Sequence, residues 1–307
     1  MDTVYTRRAA LKVIAGALTA AAGPLSSAVP RTQTISTRAI PRSGEPLPVV
    51  GVGTWQTFDV GPEAPERAEL REVLRLLVQY GGSVIDSSPM YGEAERVAGD
   101  LTAELGLRDR LFFATKVWTR GREAGIRQME QSLRLMRATR MDLMQVHNVV
   151  DVDTHAKTLS EWKAAGRIRY GGITHYHSGA YRELERLVRT KAFDFLQVNF
   201  SLAEPEAQDR LLPVCAEMGT AVIVNRPFAG AELFARVKGR SLPPWAADFD
   251  CGSWGQFFLK WILGHPAVTC VIPGTRRTAH LQDNVQAGMG RLPDAATRRR
   301  MMEYLRS

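Results

Sequence analysis

Short apolar runs recur along the chain, and the stretches between them are amphipathic. The runs at residues 48–52, 83–86, 111–116, 142–147, 168–174, 195–199, 221–225 and 268–272 are rich in Val, Ile and Phe, and they predict eight strands. Between them the apolar positions fall every three or four residues. Leu70, Val73, Leu74 and Leu77 show this spacing, as do Met129, Leu133 and Met136, and it is the spacing of one helix face. Residues 153–165, 181–190, 206–218, 253–263 and 279–287 behave similarly, and Gly81, Gly106, Gly166 and Gly219 stand where helices would end. Strands this apolar must be parallel and covered by helices. Eight such units close into a (β/α)8 TIM barrel, with a doubly wound open sheet as the competing arrangement. Ahead of the first barrel strand, residues 35–40, the turn 42–45 and Leu47 predict a hairpin at the barrel's lower end.

The first residues break the pattern. Arg7 and Arg8 precede a mild apolar run over 13–22, a Gly-Pro break and the small residues Ser26, Ser27 and Ala28. Residues 1–28 therefore predict a signal peptide, too short for a spanning helix. TRRAALK resembles a twin-arginine export signal, which implies the twin-arginine machinery as a partner, a periplasmic location and no stable membrane insertion after cleavage. Residues 29–307 then form one domain.

The 307 residues are 45% hydrophobic and 23% charged, ordinary for a globular enzyme. The net charge of +8 is spread along the chain without aromatic interleaving, so nucleic acid is not an expected partner. Cys215, Cys251 and Cys270 have no metal-ligand spacing and read as core residues. Gly51 and Gly53 form a Gly-x-Gly, but Gln56 stands where a dinucleotide fingerprint needs a third glycine.

In such barrels the chemistry lies at the C-terminal strand ends. Asp86 ends the second strand, Tyr91 follows it, Lys116 ends the third and His147 the fourth. Singly, each has a structural reading: a helix cap, a packed phenol, a snorkelling lysine, a core histidine. Together they suit proton donation to a carbonyl oxygen during reduction. Lys116 would lower the pKa of Tyr91, Asp86 would hold Lys116 charged, and His147 would hydrogen-bond the carbonyl. Trp55 and Trp118, just past the first and third strands, would wall the substrate pocket, which short loops would leave open.

GVGTW, VIDSSPMYG, ATKVW, QVHN, GGITHY, LQVNFS, NRPF and VIPGTRRTAHLQDN follow one another along the chain, which resembles the aldo-keto reductases over nearly all of residues 29–307. That resemblance implies a barrel holding NADPH across its top without a Rossmann unit. It also implies hydride transfer to an aldehyde or ketone, or from the corresponding alcohol, with Asp86, Tyr91, Lys116 and His147 as the catalytic tetrad and Tyr91 as proton donor. Gly53, Thr54 and Trp55 fall on cofactor positions, and Gln197 on the residue that contacts the carboxamide. Thr174 and His175 replace the usual Ser-Asn. Asn225, Arg226, Pro227 and Phe228 replace Tyr-Ser-Pro-Leu, so the ring-stacking aromatic is missing. Gly274 and Thr275 replace Lys-Ser, and His280 replaces an arginine. Arg276 or Arg277 would reach a 2′-phosphate, favouring NADP over NAD, while Asp283 and Asn284 would face the adenine.

Two other functions compete. His175 and His177, with His147 and Asp86, resemble a metal hydrolase set, which leaves Tyr91 and Lys116 unexplained; no metal is expected. Export to a place where free NADPH is scarce suits a nucleotide-retaining redox sensor with little turnover.

Overall fold

The computed structural model describes residues 34–306, so the predicted signal peptide lies outside the described residues. A small antiparallel hairpin comes first, β1 (Thr37–Ala39) with β2 (Pro46–Pro48). Eight parallel strands follow in sequential order: β3 (Val52–Gly53), β4 (Val84–Asp86), β5 (Phe112–Val117), β6 (Met141–His147), β7 (Ile168–Thr174), β8 (Phe195–Asn199), β9 (Ala221–Asn225) and β10 (Cys270–Val271). The ring closes through Val50–Val271 and Gly53–Gly274 bridges. Closure requires glycine at 53: a Cβ there would sit 2.9 Å from the Ile272 carbonyl oxygen. This is the predicted barrel, not an open sheet.

Helices α1 (Glu66–Gln79), α2 (Ala94–Glu104), α3 (Arg122–Leu135), α4 (Val152–Ala164), α5 (Tyr181–Arg189), α6 (Leu211–Met218), α7 (Glu232–Arg236), α8 (Trp254–Leu263), α9 (Thr278–Gln286) and α10 (Ala295–Arg306) complete the chain. The face predicted for α1 is the one it buries, through Leu70, Val73, Leu74 and Leu77, each contributing about 1.5–3 kcal/mol. Gly166 and Gly219, just past α4 and α6, take φ of 70° and 64°, which a residue with a Cβ resists.

Side chains alternate across every strand, which divides the core in two. Phe113 and Val117 of β5 join the large cluster between sheet and helices, whereas Phe112 and Ala114 join a smaller cluster inside the barrel. Ile40 and Leu47 of the hairpin belong to that inner cluster, so the hairpin does plug the lower end. The inward positions then change character along each strand. Val84 gives way to Asp86, Ala114 to Lys116, Leu143 to Gln145 and His147, and Phe195 to Gln197. An apolar floor thus carries a polar upper layer.

Several boundaries differ from expectation. Residues 46–48 pair in the hairpin, leaving the first barrel strand at Val52–Gly53, with Val50 joining the seam through its bridge to Val271. The connections are not uniformly short: residues 226–253 between β9 and α8 hold α7 and a further helical turn, Pro244–Phe249. α10 was not expected either. Its few apolar positions give a weak period, yet Met301 is buried and Arg298 is buried against Trp261 and Phe200.

Candidate active site

At the C-terminal ends of the strands a cavity of about 680 Å³ brings Asp86, Tyr91 and His147 together. Lys116 lies just beneath, wholly buried. Its Nζ donates to Asp86 Oδ2 at 2.7 Å and to the Ser87 carbonyl at 2.6 Å, and it lies 5.1 Å from the centre of the Tyr91 ring. Asp86 is held from its other side as well, since Oδ1 accepts from Gln197 Nε2 at 2.7 Å and from Gln145 Nε2 at 3.2 Å. Asp86, Lys116, Gln145, His147 and Gln197 stand on inward strand positions, so the alternation of the backbone aims them at one another, and Tyr91 reaches them from the turn after β4.

The electrostatics follow from burial and this pairing. Burial, the largest single influence, works to lower the Lys116 pKa, and the charge and hydrogen bond of Asp86 together with Tyr91 and Glu95 more than offset it, leaving the ammonium above its ordinary value. The Tyr91 phenol behaves otherwise than expected. Burial, the largest influence, pushes it up, while Lys116 pulls it down. Asp86 cancels much of the ammonium's field and itself raises the phenol. The expectation of an acidified tyrosine is thus corrected: the Tyr91 phenol holds its proton more tightly than a free one. His147 is pushed down to about 3 by burial, with Lys116 and His175 adding to the effect, so its imidazole is neutral near pH 7. Ser88 Oγ, fully buried, lies 3.1 Å from His147 Nδ1. That oxygen also accepts the Met90 N–H at 3.5 Å; a serine hydrogen given to Nδ1 would leave the ring proton on Nε2, available to a substrate oxygen.

Gly53, Thr54, Trp55, Thr174, His175, Gln197, Asn225, Arg226, Pro227, Phe228, Gly274 and Trp118 line the same cavity. Gln197 is engaged at both ends, since Oε1 accepts from Thr174 Oγ1 at 2.9 Å; it positions Asp86, a role its assignment to the cofactor did not include. Asn225 Oδ1 and Arg226 Nε are buried with no hydrogen-bond partner, a donor–acceptor set that suits a polar ligand laid across the strand ends. Thr275, Arg276, Arg277, His280, Asp283 and Asn284 lie outside the cavity lining, the first three just ahead of α9 and the others along it. There Thr275 Oγ1 accepts the Arg277 N–H at 3.0 Å, and Arg276, Arg277 and His280 are exposed. The Asp283 carboxylate accepts from Ser253 Oγ at 2.7 Å and Gln256 Nε2 at 2.8 Å, which ties it to the start of α8. Among the described residues no group of three His, Cys, Asp or Glu side chains is placed to hold a metal ion. His175 and His177 instead pack edge to face at 4.2 Å.

Gln145 and Ser88 escaped the sequence reading. Gln145 stands two residues before His147, so strand alternation alone placed it on the catalytic side. Ser88 carried no such signal, because it lies past the end of its strand.

A barrel mouth that sets a protonated phenol and a neutral imidazole over a buried ammonium–carboxylate pair defines an oxidoreductase of the (β/α)8 class. The chain belongs to the aldo/keto reductase family, whose model matches residues 49–299. It is 29% identical over 245 residues to methylglyoxal reductase YeaE of Escherichia coli, covering 78% of this chain and 84% of that one. With L-glyceraldehyde 3-phosphate reductase of the same organism it shares 25% over 295 residues, 80% of this chain and 85% of that protein. Its fold superimposes on an aldo/keto reductase of Klebsiella pneumoniae solved with NADP and acetate, at a TM-score of 0.73 and 25% identity over 87% of this chain and 96% of the other. The holo form of a Bacillus halodurans aldo-keto reductase, AKR11C1, matches at a TM-score of 0.70 and 20% identity, with 88% and 96% covered.

Proposed function

We propose that this protein reduces aldehyde or ketone groups with NADP(H), Tyr91 delivering the proton. The observation that carries the reading is the stack of Asp86, Lys116 and Tyr91 beside a neutral His147. The K. pneumoniae relative solved with NADP supports the choice of cofactor, as does the orphaned pair Asn225 Oδ1 and Arg226 Nε in the groove. When bound, the dihydronicotinamide supplies a hydride to the carbonyl carbon and leaves oxidised. His147 Nε2 polarises the carbonyl oxygen, Tyr91 gives that oxygen its proton, and Lys116 stabilises the resulting phenolate until solvent reprotonates it. Arg276 and Arg277, exposed where α9 begins, would take the 2′-phosphate as guanidinium groups do, favouring NADP over NAD.

The test is loss of reduced-nicotinamide absorbance with a panel of aldehydes, ketones and quinones, with Tyr91→Phe as control. A wild type as inert as the variant would overturn the reading.

The location proposed is periplasmic, by twin-arginine export of the folded and loaded protein. Its support is the sequence TRRAALK and the small-residue site at 26–28. Cell fractionation of the wild type and of the double variant Arg7→Lys, Arg8→Lys tests it; equal amounts of both outside the cytoplasm would exclude that route.

A further inference from the structure

Glu95 is a buried acid with no part in the proton and hydride steps. It stands in the first turn of α2, four positions after Tyr91, and is 1% exposed. Its Oε1 accepts from Thr115 Oγ1 at 2.5 Å. Thr115 precedes Lys116 on β5 and is wholly buried; Phe113 and Val117 on either side of it join the outer cluster, so it faces away from the barrel interior. Between Tyr91 and Glu95 the backbone closes as a turn, the Ala94 N–H donating to the Tyr91 carbonyl at 3.1 Å. One side-chain hydrogen bond therefore joins the segment that carries the phenol to the strand that carries the ammonium.

The second carboxyl oxygen is unsatisfied. Oε2 is buried without a hydrogen-bond partner, and so is Ser132 Oγ on α3. The two helices press together here, since a Cβ on Gly99 of α2 would lie 2.2 Å from the Leu135 carbonyl oxygen of α3. Lys116, the cation whose charge reaches the acid, is already paired with Asp86 on the opposite face of β5. A carboxylate shut in without its own cation is costly. Burial, the largest influence, pushes the Glu95 carboxyl up against the pull of Thr115, Ser132 and Lys116. A proton on Oε2 makes that oxygen a donor and gives it Ser132 Oγ as acceptor, which satisfies both orphaned atoms at once.

We propose that Glu95 is a positioning residue for the reduction, held uncharged near neutral pH, whose hydrogen bonds to Thr115 and Ser132 fix Tyr91 against Lys116. This rests on the carbonyl-reduction reading. Glu95 touches no reacting atom. It acts through the seating of α2 on β5, and what it sets is the 5.1 Å between Lys116 Nζ and the centre of the Tyr91 ring. Ionised, as in the alkaline range where Lys116 itself titrates, it adds its charge to that of Asp86.

The experiment compares the wild type with Glu95→Gln, Glu95→Ala and Thr115→Val. Glutamine copies the protonated acid, with an oxygen that accepts and an N–H that donates, and valine keeps the shape of threonine without its hydroxyl. In Glu95→Ala and Thr115→Val kcat for an aldehyde should fall about tenfold, the effect of one net hydrogen bond, with the NADPH dissociation constant unchanged. Glu95→Gln should bring kcat back to within about threefold of the wild type. Infrared difference spectra of wild type against Glu95→Gln at neutral pH should show the C=O stretch of a protonated carboxyl. Carbon-13 NMR of ζ-labelled tyrosine, with the Tyr91 signal assigned from Tyr91→Phe, gives a readout that needs no turnover. Where the tie is lost Lys116 lowers the phenol less, so the Tyr91 titration midpoint moves up in Thr115→Val and stays in Glu95→Gln. A Thr115→Val protein that loses stability yet keeps both kcat and the Tyr91 midpoint overturns the proposal, as does a missing carboxyl band or a Glu95→Gln as slow as Thr115→Val. A wild type that reduces no carbonyl removes the carbonyl-reduction reading instead, and the Tyr91 midpoints and the infrared band then decide the positioning role by themselves.

Discussion

Asp86 and Lys116 form an ion pair of 2.7 Å from which solvent is excluded on both sides. The two partners are unequally supported. Asp86 keeps Gln145 and Gln197 as further donors, whereas Lys116 has besides it the Ser87 carbonyl and the neutral Tyr91 phenol.

That inequality sets the cost of breaking the pair. Asp86→Ala strands a buried ammonium and should cost about 3–5 kcal/mol, more than Lys116→Ala, in which the carboxylate retains two amide donors. In the Asp86→Ala protein burial lowers the Lys116 pKa below its unfolded value of about 10.4. The folded state then binds fewer protons than the unfolded one, so stability rises with pH toward about 10. In the wild type the Lys116 pKa is raised, and its contribution is lost as pH climbs past that value. Between about pH 7 and about pH 9.5 the urea midpoint should therefore rise in the Asp86→Ala protein, while the Lys116 contribution in the wild type stays level there.

Tyr91→Phe should lower kcat by about 10²–10⁴, with the loss confined to turnover. Calorimetric titration with NADP separates the two: an unchanged dissociation constant beside a collapsed kcat is the expected pattern.

Because burial holds the Tyr91 phenol above its ordinary pKa of about 10, the donor form prevails throughout the neutral range. Reduction should therefore be level with pH there, while alcohol oxidation, which needs the phenolate as base, climbs as pH rises. With His147 pushed down to about 3, no break belongs near the ordinary histidine value. An inflection in kcat for reduction near pH 6.5 that vanished in His147→Gln would contradict this assignment.

Ser88→Ala removes the partner of His147 Nδ1 and frees the ring to exchange tautomers. The expected result is a fall in kcat/KM of about tenfold, roughly the 1.4 kcal/mol of one net hydrogen bond. Nitrogen-15 NMR should move from a single Nε2–H tautomer toward a mixture. A serine that served only packing would leave the tautomer signals where they were.

Gly53→Ala places a Cβ 2.9 Å from the Ile272 carbonyl oxygen at the closing seam of the barrel. Backbone on both sides leaves little room to yield, so the variant should lose about 1–3 kcal/mol. Thermal unfolding of the purified variant checks it.

The catalytic positions were legible because they end successive apolar runs, and in a parallel barrel strand ends converge. Gln145 obeyed the same alternation and was overlooked because an amide lacks the titratable signal that drew attention to its neighbour His147. α10 and the α7 segment escaped because their apolar positions are few, and burial of a residue such as Arg298 depends on Trp261 and Phe200 far away in the chain.

The order and spacing of apolar runs by themselves determined the eight-fold βα architecture and which polar residues point inward, since side-chain direction in a strand is a local, two-residue property. Tertiary structure alone decided what those residues meet. Asp86 is clamped by Gln197, 111 positions on. The Tyr91 phenol is made a stronger holder of its proton, and the Glu95 carboxyl is shut in against Thr115 of β5. Each depends on distance and solvent exclusion between segments remote in sequence, and proton affinity follows the surrounding dielectric, which no local pattern encodes.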